Sequence, residues 1–322
     1  EFLACVGALT IALLLYMFTR FIFVLKSNCD FATFATPRAS TSVYGGDVVW
    51  VTGASSGIGR ELAHQLSARG SRLILSSRRE SVLNEVAEEC RQINGGVSVK
   101  VLPLDLNDLG SLPQKVKDAL AVYGQIDVLF NNGGVSTRAT ARNSSFDVDV
   151  MVTNVDYLSY VVLTKSLLPF IDKNKKGCKI VNTVSVAGKI GVPVRTSYCG
   201  AKHAVVGFFD ALRVEETMRK SQISVTNVIL GSTKTQIAHN AVINKPGANF
   251  GESDSNIDNG LKADFVCERI LATAHAGLKE TWIAQPLEMF GLYFSTYFPD
   301  SAKVVMTKIA AKKYAVQKDT EK

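Results

Sequence analysis

Cysteine is scarce in this chain, which has six cysteines among its 322 residues. They stand at Cys5, Cys29, Cys90, Cys178, Cys199 and Cys267. Such a sparse set excludes a disulfide scaffold, and since no C-x-x-C pair occurs, no zinc or redox motif is visible and no metal site is expected. The count fits a reducing compartment but leaves one or two disulfide bridges open.

Acidic residues are fewer than basic ones, with 29 Asp and Glu against 36 Lys and Arg, for a net charge of +7. Residues 303–322 hold six Lys, one Asp and one Glu, so a charge of +4 belongs to the last segment. The excess is mainly a property of this tail, and we expect no nucleic-acid partner. Hydrophobic residues make up 47% of the chain, which excludes a mostly disordered protein.

Charge is absent from residues 2–19, and Arg20 alone interrupts the apolar run that ends before Lys26. About 20 apolar residues cross a bilayer as a helix, and Arg20 can extend its charged end to the interface. We therefore predict that residues 1–26 form an N-terminal transmembrane anchor. A cleaved signal peptide is the alternative, although the run exceeds the usual apolar core and lacks a prompt small-x-small site. Arg20 and Lys26 weakly favour a cytosolic position for the C-terminal part of the chain and leave the membrane side open.

Strand-like and helix-like patterns alternate after a polar, turn-rich stretch at 27–46, which we interpret as a linker. The predicted strands are 48–52, 72–77, 98–104, 126–130, 178–184, 223–230 and 281–284. The predicted helices are 57–69, 80–93, 110–123, 154–172 and 197–219. This alternation indicates one α/β domain over 47–285, a doubly wound parallel sheet covered by helices on both faces. Polar residues 236–262 interrupt the rhythm and are typical of a lid or binding loop.

A glycine-rich turn stands between the first predicted strand and the first predicted helix of this domain. Gly53, Gly57 and Gly59 follow G-x-x-x-G-x-G spacing, which lets backbone N–H groups approach a pyrophosphate at the helix N-terminus. This context favours a Rossmann-type dinucleotide site. Arg78 follows the next strand, where an NAD site usually has an acid, and its guanidinium would grip a 2′-phosphate. The predicted cofactor is therefore NADP(H). The alternative is that Arg78 and Arg79 are both only solvated residues at a helix start.

Several ordered motifs resemble the short-chain dehydrogenase/reductase family over residues 47–285. TGASSGIG at 52–59 is similar to the cofactor loop of that family, and NNGG at 131–134 is similar to its N-N-A-G, with Gly133 in place of Ala. The resemblance implies a catalytic set of Asn154, Ser185, Tyr198 and Lys202. It implies cofactor contacts by Gly53, Ser55, Ser56, Gly57, Ile58, Gly59, Arg78, Asp105, Asn131, Gly133, Tyr198, Lys202 and Thr235. Leu230 replaces the Pro that usually begins the loop before Thr235.

The predicted catalytic residues also fit proton transfer. Tyr198 and Lys202 stand four residues apart and share a helix face, where the ammonium is expected to lower the pKa of the phenol. Tyr198 would then act as the general acid or base for a carbonyl or alcohol. Ser185, at a strand end, would hydrogen-bond the same oxygen. By resemblance, Lys202 would hold the nicotinamide ribose and Asn154 would hold a water chain that resupplies protons.

The C-terminal segment 286–322 combines an aromatic helix face with spaced lysines. The aromatic residues are Phe290, Tyr293, Phe294, Tyr297 and Phe298. They predict either ordinary packing or a membrane-dipping lip that admits a hydrophobic substrate. The pattern resembles a membrane-anchored branch of the family linked to the endoplasmic reticulum, which implies a steroid, retinoid or lipophilic ketone as substrate.

Other interpretations stay open at this point. A 3-keto sphingoid base or another lipid intermediate could be the substrate, and a non-catalytic nucleotide-binding scaffold would belong to a different class of function. The resemblance also implies a homodimer through helices 110–123 and 154–172.

Overall fold

One parallel sheet of seven strands organises the chain in a computed structural model that describes residues 2–171 and 176–320. The strands are β1 Val48–Thr52, β2 Arg72–Ser76, β3 Val99–Val101, β4 Val128–Asn131, β5 Cys178–Ser185, β6 Ile223–Leu230 and β7 Glu280–Ile283. Their order across the sheet is β3-β2-β1-β4-β5-β6-β7, and every neighbouring pair is parallel. The order reverses direction between β1 and β4, which confirms the Rossmann-type single domain.

Helices connect the strands and cover both faces of the sheet. They are α1 Phe2–Lys26, α2 Phe31–Ala35, α3 Gly57–Ala68, α4 Glu80–Ile93, α5 Leu112–Tyr123, α6 Phe146–Thr153, α7 Ser159–Ile171, α8 Thr196–Met218, α9 Ser255–Asp258, α10 Ala263–His275, α11 Pro286–Tyr297 and α12 Pro299–Thr320. A π-helical turn, Asn154–Leu158, joins α6 to α7. The helix predicted over 154–172 thus begins earlier and changes its hydrogen-bond pattern, and its last predicted residue lies outside the described residues.

The core is divided by the sheet into two apolar layers. Every residue of β1 is buried, as expected for a central parallel strand with helices on both sides. Side chains of β1 that point one way, such as Val49 and Val51, pack with Leu62 of α3. Those that point the other way, Val48 and Trp50, belong to the layer of α5, α7 and α8. The alternation of side chains along each strand therefore fixes which helices meet which face.

The predicted N-terminal anchor is one continuous helix, α1, with exposed apolar side chains such as Phe2, Leu9 and Phe18. Across residues 2–171 and 176–320, none of the helices is both long enough and apolar enough to cross a membrane. The transmembrane character expected for residues 1–26 is therefore not supported by the structure, and residue 1 lies outside the described residues.

The stretch predicted as a linker, 27–46, packs closely on the domain. Asp30 accepts a hydrogen bond from the backbone N–H of Trp282, and the Tyr44 hydroxyl donates to the Leu271 carbonyl at 2.8 Å. The Arg269 guanidinium donates to the carbonyls of Thr33 and Thr36, both at 2.6 Å. The polar groups of residues 27–46 therefore form hydrogen bonds with the domain, and these bonds hold the segment against it.

Candidate active site

A cleft of about 480 Å³ opens at the carboxyl ends of the strands, the usual ligand position in an open parallel sheet. Its walls come from the β1–α3 turn, the ends of β2 and β4, the first turns of α8 and the predicted lid at 236–262. This segment is tied to the rest of the domain, since Val242 donates its N–H to the Ser136 carbonyl at 2.8 Å. Asp254 in the same segment also pairs with Arg138 at 2.8 Å and with Arg195 at 3.0 Å.

The β1–α3 turn has the shape of an anion cradle. Gly53 has φ +66°, and a Cβ there would lie 2.5 Å from the Cα of Gly133, so a side chain would fill the space between two loops. Ser56 precedes α3 and makes no side-chain capping bond. The first N–H groups of a helix have no partners within the helix, so those of α3 are available at the cleft.

Gly59 serves packing instead of lining the cleft. A Cβ on Gly59 would overlap the Gly53 carbonyl oxygen, which shows how closely α3 crosses the turn. Packing also explains the glycine at position 133, where the family pattern has Ala. A Cβ on Gly133 would lie 2.5 Å from Cδ1 of Leu106, so Leu106 occupies the volume that an alanine methyl would need.

The far end of the cleft carries charge and an unsatisfied hydroxyl. Arg78 and Arg79 are exposed on its wall, and Arg79 Nη2 lies 3.5 Å from Ser55 Oγ. Ser77 Oγ is buried and has no hydrogen-bond partner within the described part of the chain. Asp105 also lines this end and accepts a hydrogen bond from the N–H of Asn107 at 2.9 Å. Arg79 was not among the predicted contacts, although its position beside Arg78 in the sequence could have suggested it.

Asn132, and not the predicted Asn131, faces the cleft. Asn131 is buried in the sheet, where its amide donates to Oδ1 of Asn182 at 2.9 Å. Asn132 donates to the Thr52 carbonyl at 3.0 Å and accepts from the Thr183 hydroxyl at 3.1 Å. Asn132 thus ties β1 and β5 together across the carboxyl edge of β4.

Three of the four predicted catalytic residues come together at the other end. Ser185 ends β5, and Tyr198 and Lys202 lie on the first turns of α8. Ser185 lies close enough to the Tyr198 hydroxyl for its side chain to lower the pKa of the phenol. Lys202 Nζ donates to the Thr183 carbonyl at 3.1 Å and lies 5.8 Å from the centre of the Tyr198 ring. Tyr198 is only 7% exposed and Lys202 only 3%.

Asn154 is not brought to this group. Its amide donates to Oδ1 of Asn107 at 3.2 Å. The side chain that meets Lys202 from the π-helical turn is Asp156, whose Oδ2 lies 3.5 Å from Nζ. Asp156 is fully buried. Sequence reasoning missed this carboxylate, and the only available signal was an acid two residues after the expected Asn.

Burial raises the pKa of Tyr198, and this cause outweighs the opposing charge of Lys202. The negative charge of Asp156 adds to the increase, whereas the hydrogen bond from Ser185 and the charge of Arg195 reduce it. The sequence led us to expect a lowered pKa from Lys202 alone. The difference arises because the sequence showed neither the burial of the phenol nor the carboxylate behind the ammonium.

Comparison with known proteins places this site in a family. The model described as short chain dehydrogenase matches residues 47–245. The chain belongs to the short-chain dehydrogenase family. It is 39% identical over 273 residues to dehydrogenase/reductase SDR family member 7 from Homo sapiens, an alignment that covers 83% of this chain and 78% of that protein. The expected membership of the short-chain dehydrogenase/reductase family is therefore confirmed, and the chain is an oxidoreductase of this family that is similar to its member 7 proteins.

Solved structures of the family agree in fold. A short-chain dehydrogenase/reductase from Burkholderia phymatum in complex with NAD matches with a TM-score of 0.71 and 22% identity, over 79% of this chain and 94% of the other. A metagenomic short-chain oxidoreductase in complex with NADP matches with a TM-score of 0.61 and 24% identity, over 75% of this chain and 97% of the other. At these identities, the likeness is one of architecture.

The loop after β6 has Leu230 where the family usually has Pro, and a side-chain carboxylate fixes its conformation. Glu288 at the start of α11 accepts hydrogen bonds from the N–H and hydroxyl of Ser232 at 2.8 and 2.6 Å. Gly231 leaves room for this carboxylate, since a Cβ there would overlap Glu288 Oε2. The loop is thus fixed by the Glu288 carboxylate instead of a proline ring. The predicted contact Thr235 follows this loop and lines the cleft beside Gly57.

Proposed function

We propose that this chain is an NADP(H)-dependent oxidoreductase that interconverts a carbonyl and an alcohol on a hydrophobic substrate at a membrane. The observation that carries the proposal is that Tyr198 and Lys202 line one cleft together with a glycine-rich anion cradle, with Ser185 close to Tyr198. A scaffold protein would not need a buried phenol and ammonium, which cost free energy to remove from water.

The nucleotide end of the cleft fits a nicotinamide dinucleotide. The cradle at Gly53, where a Cβ would collide with Gly133, suits the close approach of a pyrophosphate to the N-terminus of α3. The buried Ser77 hydroxyl, which has no partner among the described residues, offers a hydrogen bond to a ligand. Asp105 would contact the adenine, Lys202 the nicotinamide ribose and Thr235 the nicotinamide amide.

The preference for NADP(H) rests on two cations. Arg78 and Arg79 flank the cleft where an acid would favour NAD, and the guanidinium groups suit a 2′-phosphate. The solved relatives include one complex with NAD and one with NADP, so they do not decide between the two cofactors.

The catalytic end fits hydride transfer coupled to proton transfer. A bound reduced nicotinamide supplies the hydride. Ser185 orients the substrate oxygen by a hydrogen bond, and Tyr198 gives its proton to that oxygen during reduction or removes it during oxidation. A phenol is protonated at neutral pH and burial raises the pKa of Tyr198 further, so the resting residue is ready to act as an acid.

The substrate is proposed to be a hydrophobic ketone or its alcohol, such as a steroid or a retinoid. The cleft beside Tyr198 is lined by apolar side chains. These are Val135, Met151, Val155, Ile237 and Val242. Such a wall binds hydrocarbon and leaves the polar end of a substrate to Ser185 and Tyr198.

Membrane association, at the endoplasmic reticulum, would deliver such substrates. Helix α1 exposes apolar side chains along its length, and on α11 and the residue after it Phe290, Tyr297 and Phe298 are 49%, 72% and 60% exposed. A contiguous exposed apolar surface of this kind is typical of proteins that bind a membrane or another protein. Flotation of the full chain with phosphatidylcholine vesicles, compared with a variant carrying Ser at these three aromatic positions, tests this part.

A homodimer through α5 and α7 remains part of the proposal. These helices pack side by side, and their ends border an apolar hollow that includes Leu120, Leu167 and Phe170. Sedimentation of the detergent-solubilised protein would measure the mass directly.

The decisive experiment follows NADPH and NADH oxidation by the purified protein with steroid, retinoid and 3-keto sphingoid ketones. We expect turnover with NADPH and at least one hydrophobic ketone, and turnover lower by about 10²-fold or more with the Tyr198→Phe variant. Specific turnover of the 3-keto sphingoid base alone would identify the narrower lipid-intermediate reductase. Failure of the protein to bind either cofactor would contradict the proposed function.

A further inference from the structure

A buried carboxylate stands behind the catalytic ammonium. Asp156 is 0% exposed, and its Oδ1 accepts the N–H of Val135 at 2.7 Å. Its Oδ2 forms an ion pair with Lys202 Nζ at 3.5 Å and accepts no hydrogen bond within the described part of the chain. A buried carboxylate of this kind is expensive to desolvate unless its charge is matched, so the geometry ties its state to that of Lys202.

The backbone places this carboxylate through an irregular turn. Asp156 belongs to the π-helical turn Asn154–Leu158, where the N–H of Ser159 reaches back to the Asn154 carbonyl. Single π turns within helices occur often at functional sites. Here the turn leaves the neutral amide of Asn154 on Asn107 and puts the charged side chain against Lys202.

The surroundings of this pair contain few other charges. From α7, the Tyr160 hydroxyl lies 3.4 Å from Lys202 Nζ and donates to the Gly133 carbonyl.

The polar and charged groups around Tyr198 come from several elements. They are Ser185 of β5, Lys202 and Arg195 of α8, Arg138 of the β4–α6 loop and Asp156. Arg138 and Arg195 share the carboxylate of Asp254 in the lid. Asp156 is thus the carboxylate paired with Lys202, whereas the two arginines are already matched by another acid.

We propose that Asp156 is a positioning residue that acts on Tyr198 through Lys202. Its carboxylate offsets the ammonium charge and holds Nζ in place, so the phenol keeps its proton to higher pH than an unpaired Lys202 would allow. Given the proposed function, this charge balance favours the rate of carbonyl reduction, which needs the protonated phenol, over alcohol oxidation, which needs the phenolate.

The direct test measures the phenol itself and needs neither cofactor nor substrate. The ultraviolet difference absorbance of phenolate is titrated in the protein and in its Tyr198→Phe variant, and the subtraction isolates one of the nine tyrosines. In the Asp156→Asn background, we expect Tyr198 to titrate about one pH unit or more lower, because a negative charge that disfavours phenolate is gone. An unchanged or higher titration would overturn the proposal.

Controls separate charge from structure. Asp149→Asn removes another carboxylate that faces α8, where it accepts a hydrogen bond from the Ser197 hydroxyl, and it should leave the Tyr198 titration in place. Thermal melting reports whether each variant folds, and Asp156→Ser provides a second neutral variant that adds no bulk. Asp156→Glu retains the charge and should titrate closer to the original protein than either neutral variant.

The rate profile then tests the consequence. In Asp156→Asn, the alkaline fall in NADPH-dependent reduction and the alkaline rise in alcohol oxidation should both move to lower pH by the same amount as the phenol titration. Rate profiles that stay in place despite a shifted titration would refute the reductive bias. A shifted phenol in a protein without turnover would instead count against the proposed function and leave the charge coupling intact.

Discussion

The two ends of the cleft offer a ligand different physical interactions. At the nucleotide end, the start of α3 lines the cleft, and the cations Arg78 and Arg79 are exposed to solvent, where charges are screened. At the catalytic end, Tyr198, Lys202 and Asp156 are each less than a tenth exposed, so their charges act on one another with little screening. Substitutions should therefore change affinity moderately at the first end and chemistry strongly at the second.

The largest expected effect is at the catalytic end. Tyr198→Phe removes the proton that the reaction needs and keeps the ring packed, so turnover should fall by about 10²–10⁴-fold, the usual contribution of a general acid. Quenching of protein fluorescence by NADPH should show nearly unchanged cofactor affinity, which serves as the control. Turnover near that of the unmodified protein would remove Tyr198 from its assigned role.

The next effect tests the charge at the nucleotide end. Arg78→Asp should weaken NADPH binding by about ten- to a hundredfold, the equivalent of losing charge-assisted hydrogen bonds, and should leave NADH binding nearly unchanged. Arg91→Asp, on the exposed side of α4 beside Glu88, is the matched control and should alter neither affinity. Equal losses for NADPH and NADH would show that Arg78 does not read the 2′-phosphate. If only Arg79→Asp weakened NADPH binding, Arg79 would be the residue that contacts the 2′-phosphate.

A smaller effect probes the packing of α3 against the β1–α3 turn. Gly59→Ala places a methyl against the Gly53 carbonyl, so α3 must shift. We expect a loss of about 1–3 kcal/mol in the free energy of unfolding and about tenfold weaker cofactor binding. Gly207→Ala in α8 is the matched control, because a Cβ there has no neighbour within 4 Å and alanine favours a helix. Denaturant unfolding of both variants checks this, and equal stabilities would contradict it.

The same contrast explains what the sequence could predict. The nucleotide end is encoded by a contiguous pattern, residues 52–59, whose strand, turn and helix stay neighbours in the fold. The sequence also predicted the group of Ser185, Tyr198 and Lys202. The family pattern fixes their order, and the end of β5 lies near the start of α8. The parallel sheet followed from the alternation of strands and helices, and only its boundaries moved by a few residues.

The features that the sequence did not predict depend on backbone detail. Asn131 and Asn132 are adjacent, and only the alternation of side chains along β4 decides which one faces the cleft. Asp156 was missed because a π-helical turn, which leaves no recognised sequence pattern, determines which residue of the turn meets Lys202. The segment 27–46 was predicted as a linker, and its contacts with the domain could not be foreseen because some of its polar groups bond to residues distant in sequence, such as Arg269.

The smallest expected effect separates the two residues of that turn. Asn154→Ala removes a neutral hydrogen bond to Asn107 at the rim of the cleft, a contact of about 0.5–1.5 kcal/mol. Turnover should fall by less than about tenfold, and the pH profile of reduction should stay in place. If Asn154 instead holds the water chain that the family resemblance implies, turnover will fall much further and a solvent isotope effect will change. Asp156→Ser alters the same turn two residues away, but it removes a buried charge. Of these two variants, only Asp156→Ser should therefore shift the pH profile of reduction.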